Sequence, residues 1–302
     1  MIVDMPNTTS SKIGKRLMEL RETGGVVALG RVLTLVISAE PEAVESAVTA
    51  ANGASRLHPS RIIVLTEHKD SPIPRLDAEI RVGGDAGASE VVILRAHGAA
   101  ASNPESLVTG LLLPDAPVVA WWPSSCDASP SKTALGRIAQ RRITDSACQE
   151  DPARFLQELA RNYAPGDGDM AWTRITLWRS QLAALFQQHL HRKVLAIDVY
   201  GSLTSPSSVL LARWLELRLG AKATIAYELV GKRIEGIAGV KLTFEDGSLE
   251  ILRDDEVATI TQVGFPRSSV LLPRRSDQDC LIEDMRFLGE DEVYGEVLQA
   301  GL

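Results

Sequence analysis

The sequence predicts an α/β protein of two domains. The first is a mostly parallel sheet flanked by helices, and the second is a mixed α/β sheet with a helical tail. Two observations predict the class. Val-rich runs of strand length, such as Val26–Ser38, Arg61–Thr66 and Val118–Trp122, alternate with segments of helical period. Within those runs the apolar residues are nearly continuous, as in strands buried on both faces. A third observation predicts the domain count: 302 residues exceed what one ordinary core organises.

The first predicted helix is Lys12–Arg21, with Ser10-Ser11 as its cap and Ile13, Leu17 and Leu20 on one face. Gly24-Gly25 is its expected stop. A helix from Pro41 to about Leu57 follows the first strand. Ala78–Val82 and Ser89–Arg95 read as a strand pair around the glycine turn VGGDAGAS, Val82–Ser89. Leu107–Leu113, Lys132–Arg142 and Pro152–Tyr163 read as helices. APGDGD, Ala164–Asp169, has the composition of a linker, so the expected domains are 1–165 and 166–302.

The second domain is expected to open with a helix over Trp172–Leu190, its apolar side formed by Ile175, Trp178, Leu182, Leu185 and Phe186. Strand Val194–Val199, helix Ser207–Leu219 and strand Ala223–Leu229 follow. Ile237–Thr243 and Leu249–Arg253 form a hairpin about Asp246-Gly247. A strand at Ala258–Val263 and a helical tail over Gln278–Leu298 complete the prediction. Four helices are expected to start with a capping residue followed by proline: Asn103-Pro104, Ser129-Pro130, Asp151-Pro152 and Ser205-Pro206.

Charge narrows the function classes. A formal net charge of −7 argues against a nucleic-acid or anionic-membrane surface. Three scattered cysteines, Cys126, Cys148 and Cys280, fit neither a disulfide framework nor a zinc site. No apolar run reaches the ~20 residues of a membrane span, and MIVDMPNTTS lacks a signal-peptide pattern. A cytoplasmic protein is expected.

Catalytic constellations are hard to assemble. VGGDAGAS lacks the lysine of a phosphate loop, and GGVVALG, Gly24–Gly30, lacks the dinucleotide fingerprint. His189 and His191, two apart at a helix end, face different ways and read as surface histidines. His97 stands at a strand end where a base could sit, but a loop histidine is the plainer reading. Cys126 has no nearby cation to lower its pKa. The best anion site is GSLTSPSS, Gly201–Ser208, where Ser205, Ser207 and Ser208 open a helix after a strand. It motivates one functional alternative, a sugar-phosphate or anion-binding regulatory protein or enzyme.

Aromatic and arginine clusters favour binding instead, because Trp and Arg dominate interface hot spots. Trp121 and Trp122 are adjacent, so a strand points them to opposite faces. One is expected to pack under the helix layer, and the other to meet the second domain or a partner. Arg141, Arg142 and Asp145 follow the stripe Leu135, Ile138 and Ala139, where a solvated helix end is the plain alternative. Trp172, Arg174 and Arg179 lie on the helix that opens the second domain, with Trp172 and Arg179 seven apart on one face.

With these motifs the chain resembles the bacterial glucose-6-phosphate dehydrogenase assembly proteins, the OpcA family. The resemblance rests on VVAWWP, LGRIAQRRITD and GDMAWTRITLWRSQLAA. It extends to TSSKIGKRLMELR, GRVLTLV, SPSSVLLARWLELRLG and DEVYGEVL, in the family's order over nearly the whole chain. The loop SSCDASPS after WWP departs from the glycine-acidic loop expected there, and a redox switch at Cys126 is not carried over. The resemblance implies a non-catalytic activator, without a cofactor of its own, whose partner is glucose-6-phosphate dehydrogenase of the oxidative pentose phosphate pathway. The expected contact residues are Trp121, Trp122, Arg141, Arg142, Asp145, Trp172, Arg174 and Arg179.

Overall fold

The computed structural model describes residues 1–23, 30–83, 90–226, 228–229, 232–233 and 236–301. Its strands, in chain order, are β1 (Ile2–Met5), β2 (Leu33–Ser38), β3 (Ser60–His68), β4 (Arg75–Arg81), β5 (Glu90–His97), β6 (Val118–Trp121), β7 (Arg141–Thr144) and β8 (Asp167–Asp169). Then come β9 (Ala196–Gly201), β10 (Ala223–Ala226), β11 (Glu228–Leu229), β12 (Lys232–Arg233), β13 (Ile237–Phe244), β14 (Gly247–Asp254), β15 (Val257–Gln262) and β16 (Ser268–Leu271). The helices are α1 (Ser10–Thr23), α2 (Val44–Ala54), α3 (Pro104–Thr109), α4 (Ala134–Ile138) and α5 (Pro152–Asn162). They continue with α6 (Met170–Arg174), α7 (Thr176–Phe186), α8 (Pro206–Leu219), α9 (Asp277–Arg286) and α10 (Glu292–Gln299). Among the described residues no helix is long and apolar enough to cross a membrane. The expected helix stop at Gly24-Gly25, the GGVVALG stretch before Gly30 and most of the VGGDAGAS turn lie outside the described residues.

By internal contacts the chain forms two compact units, each assembled from three segments. The first comprises Met1–Cys148, Ala164–Gly168 and Asp277–Glu290. The second comprises Gln149–Tyr163, Asp169–Ser276 and Asp291–Leu302. The expected boundary at 165/166 falls inside one of the short segments of the first unit.

The eight-stranded sheet runs β1-β4-β5-β3-β2-β6-β7-β8. Strands β5, β3, β2, β6 and β7 are parallel, and at one edge β4 pairs antiparallel with β5 and β1 antiparallel with β4. From β2 the chain moves outward to β3 and, by way of β4, to β5, then returns to the other side of β2 for β6 and β7. Its direction therefore reverses between β2 and β6, and the crevice at their carboxyl ends is where such sheets accept ligands. The expected continuous apolar runs are present: Ser60–Thr66 of β3 and Glu90–Leu94 of β5 are buried throughout. One core joins Ile13, Leu17 and Leu20 of α1 and Leu135 beside Ala139 to Val36, Ile63, Leu65 and Trp122.

In the second unit the six-stranded sheet runs β10-β9-β13-β14-β15-β16. Only β9 and β10 pair in parallel; the rest is an antiparallel meander. Helix α8 packs on β9 and β10, and α5, α6 and α10 pack on α8.

Several local expectations fail for identifiable reasons. Lys132–Arg142 is not one helix: α4 stops at Ile138 because Ala139 is extended (φ −99°, ψ 136°), and Arg141–Thr144 forms β7 beside β6. Ala164–Asp169 is no linker, since Asp167, Gly168 and Asp169 are buried in the edge strand β8. Trp172–Leu190 breaks at Ile175 into α6 and α7 and ends in a 3-10 turn. The tail divides into α9 and α10, which fall in different units. Two of the four proline-headed starts carry a side-chain cap: Asn103 accepts from Ser106 N, and Asp151 from Arg154 N. Ser129 and Ser205 make no such bond. At α1 the cap is Thr9, whose Oγ1 accepts from Lys12 N at 3.3 Å.

Candidate functional site

The carboxyl ends of β2, β3 and β6 border a cleft of about 640 Å³ in the first unit. It lies at the reversal point of the sheet. Ser38, Ala39 and Glu40 come from the turn after β2, and Glu67, Lys69 and Asp70 from the end of β3. Trp122, Ser125 and Cys126 come from the stretch after β6, and Thr133, Ala134 and Leu135 from the start of α4. Glu40, Lys69 and Asp70 are exposed.

The chemistry of this cleft is acidic. Glu40, Glu67 and Asp70 supply three carboxylates against one ammonium, and Lys69 Nζ already lies 2.6 Å from Glu67 Oε2. Ser125 Oγ donates to Glu40 Oε1 at 2.9 Å, tying the loop after WWP to the turn after β2. In dinucleotide-binding sheets this turn is glycine-rich, so that backbone N–H groups approach a pyrophosphate. Here it reads Ser38-Ala39-Glu40-Pro41, and Glu42 and Glu45 follow in the first turns of the helix. Negative charge occupies the place where phosphate would need positive charge.

Six of the eight expected contact residues are buried. Trp121 and Trp122 do point to opposite faces, but both are covered, at 1% and 6% exposure. Trp122 joins the core with Leu135 and also lines the cleft. Trp121 Nε1 is buried without a hydrogen-bond partner among the described residues. Neither ring protrudes as an anchor, because β6 is an interior strand with a covered layer on each side.

Arg141 and Arg142 are likewise interior and not a solvated helix end. Arg141 Nη2 donates to Asp284 Oδ1 of α9 at 2.5 Å, and both side chains are buried. Arg142 Nε donates to Asp167 Oδ1, Nη1 to Ala139 O at 2.9 Å, and Nη2 to Pro165 O. The glycines of the supposed linker make this possible. A Cβ on Gly168 would stand 2.5 Å from Arg141 Nη2, and Gly166 adopts φ +89° beside Arg142. Burial raises the Asp167 carboxyl above its ordinary range, against the opposing pull of Arg142. Asp145 caps the turn after β7, accepting from Ala147 N at 3.1 Å and from Cys148 Sγ at 3.4 Å.

In the second unit Trp172 is the centre of a cluster. Its Nε1 donates to Asp291 Oδ2 at 2.7 Å, while Asp291 Oδ1 caps α10 by accepting from Tyr294 N at 3.0 Å. The Arg179 guanidinium lies 3.7 Å over the indole, and the Tyr294 ring lies 5.6 Å away. Arg179 Nη2 donates to Thr176 Oγ1 at 2.9 Å, and Arg174 is half-buried in the last turn of α6. Asp167, Asp284, Asp291 and Tyr294 were missed by sequence reasoning, although three of them are the partners of residues it singled out. The acidic residues in GDGD and DEVY hinted at Asp167 and Asp291; Asp284 had no such signal.

The remaining candidates have structural roles. Ser207 Oγ donates to Ala171 O at 2.9 Å, and Ser208 is fully buried with Oγ facing Gly201. Ser205 forms no side-chain cap, and Ser208 Oγ is buried without a hydrogen-bond partner among the described residues. His189 is buried and not on the surface as expected. Its Nε2 pairs with Gln262 Oε1 and its Nδ1 accepts from Arg192 Nη1, both at 3.0 Å. His97 ends β5, stacks on His68 at 4.6 Å and approaches Asp77 at 3.4 Å. Burial, then the neighbouring His68 and Arg75, lowers its pKa.

Two family models match the chain, and both describe a glucose-6-phosphate dehydrogenase subunit, of OpcA type. The model of its N-terminal, assembly domain matches residues 51–161. The model of its C-terminal domain matches residues 165–298. No curated protein matches. Among solved structures, UDP-N-acetylglucosamine 3-dehydrogenase GnnA from Acidithiobacillus ferrooxidans is 9% identical, with a TM-score of 0.43, over 89% of this chain and 95% of its own. An oxidoreductase from Thermotoga maritima is 12% identical, with a TM-score of 0.43, over 89% of this chain and 94% of its own.

Proposed function

Because the chain belongs to the OpcA family of glucose-6-phosphate dehydrogenase assembly proteins, we propose that it binds that enzyme and activates it without catalysis of its own. The family matches, which together span residues 51–161 and 165–298, carry this reading. The cleft chemistry supports it, since the turn after β2 carries Glu40 and lacks the glycines of a phosphate-binding turn. Activation follows from linkage: a protein that binds the active or assembled enzyme better than the inactive one shifts the population toward it. The eight expected contact residues enter this proposal chiefly as a frame. They hold β7, β8 and the α6–α7 turn in shape; both strands are buried throughout, so exposed residues outside them would meet the enzyme in the cytoplasm.

The test is a titration of the purified full-length chain into purified glucose-6-phosphate dehydrogenase, reading activity and, by sedimentation, oligomer size. A saturable rise in activity with a new co-sedimenting species is expected. Unchanged activity and unchanged size across the titration would sink the reading.

A further inference from the structure

We propose that the acidic cleft between β2 and β6 receives an arginine- or lysine-bearing loop of the partner enzyme, so that it is this chain's docking site for a basic segment. The proposal rests on the activator reading above and assigns that contact to a place. Three features select the occupant. The cleft is concave and, at about 640 Å³, roomy enough for side chains of a peptide segment. Its charge is complementary to a cation: Glu40 and Asp70 are exposed carboxylates at its edge, while Lys69 is already paired with Glu67. Its walls also include half-buried Pro104, with the buried Ala39, Ala101, Leu135 and Trp122 behind it, so the aliphatic stem of a long basic side chain meets a small apolar patch beside the carboxylates.

Other occupants fit less well. An anion would meet like charge in a partly desolvated recess, where repulsion is stronger than in water. A metal ion would need converging ligands, and no group of three or more His, Cys, Asp or Glu among the described residues could hold one. A basic loop uses the charge and the apolar wall together. Such charge complementarity chiefly raises the association rate and fixes the register of docking.

The experiment is the double charge reversal Glu40→Lys/Asp70→Lys, compared with Asp254→Lys/Glu256→Lys, an equal change of net charge at exposed positions of the second unit. Circular dichroism checks that each variant folds. Two binding arms are read: the purified dehydrogenase, and a fluorescein-labelled peptide alternating Arg and Gly. The cleft variant is expected to lose at least about tenfold in affinity in both arms, with the control within about twofold of the unchanged chain. If the enzyme binds the folded cleft variant as well as the unchanged chain, the docking proposal is overturned while the activator reading stands. If the unchanged chain neither binds nor activates the enzyme, the activator reading falls, and the docking of the enzyme's basic loop falls with it. Peptide binding lost equally in both variants overturns it as unspecific charge attraction. Binding abolished by EDTA overturns it in favour of a cation.

Discussion

The two units hold arginine in different ways. In the first, Arg141 and Arg142 sit side by side on an interior strand, each facing a buried carboxylate, Asp284 or Asp167. In the second, Arg179 lies 3.7 Å over the Trp172 ring and reaches Thr176, while the indole N–H takes the carboxylate of Asp291. The first arrangement concentrates charge where water is excluded, so each member depends on its counter-ion. The second spreads attraction over an aromatic face at the edge of a helix, where losing one partner costs less. Similar signature motifs, RRIT and AWTRITLWR, therefore promise different sensitivities.

The largest effect should come from Asp284→Ala. It leaves Arg141 buried without that carboxylate, and the expected cost is about 3–5 kcal/mol in urea unfolding of the first unit. The double variant Arg141→Met/Asp284→Leu should recover most of it, because well-packed apolar pairs often replace buried ion pairs at little cost. A cost below about 1 kcal/mol for the single variant would erase the contrast between the units.

Trp172→Phe comes next. It keeps an aromatic face for Arg179 but strands one oxygen of Asp291, at an expected cost of about 1–3 kcal/mol. Because Asp291 Oδ1 still caps α10, that helix should remain, as amide exchange across Glu292–Gln299 would report. Melting of α10 would show that the indole, and not the cap, holds it.

The smallest effect concerns pH. Asp167 has a raised pKa in the folded protein, caused first by burial. A raised acid contributes stability that is present below its unfolded pKa and is lost as pH rises through the folded value. Asp167→Asn removes that slope. The stability of the unchanged chain minus that of the variant should therefore decline as pH climbs above the ordinary carboxyl value of 3.8. A difference that grows with pH would show that Arg142 outweighs burial at Asp167.

These contrasts explain which parts of the molecule could be read in advance. Val26–Ser38, Arg61–Thr66 and Val118–Trp122 were legible as parallel strands because burial on both faces leaves a compositional trace, although the first begins only at Leu33 in the described structure. The Asp246-Gly247 hairpin was legible because its turn chemistry is local. RRITD was not, because a strand with two consecutive arginines looks solvent-exposed until its carboxylates are found 25 and 143 residues away. PGDGD was misread for the matching reason: its glycines serve close approach by guanidinium groups, and its aspartate serves as counter-ion. His189 looked like a surface residue because Gln262, the partner that allows its burial, is 73 residues away.

By itself the sequence determined the α/β class, the strand runs and the family. Periodicity, composition and motif order are local properties that survive without coordinates. Tertiary structure alone decided that WWP, RRITD and GDGD are interior, that the tail divides between two compact units, and that Glu40, Glu67 and Asp70 gather around one cleft. The physical reason is that burying charge and forming a cleft are relations between residues distant in the chain, set by strand order and counter-ion placement, which no local pattern encodes.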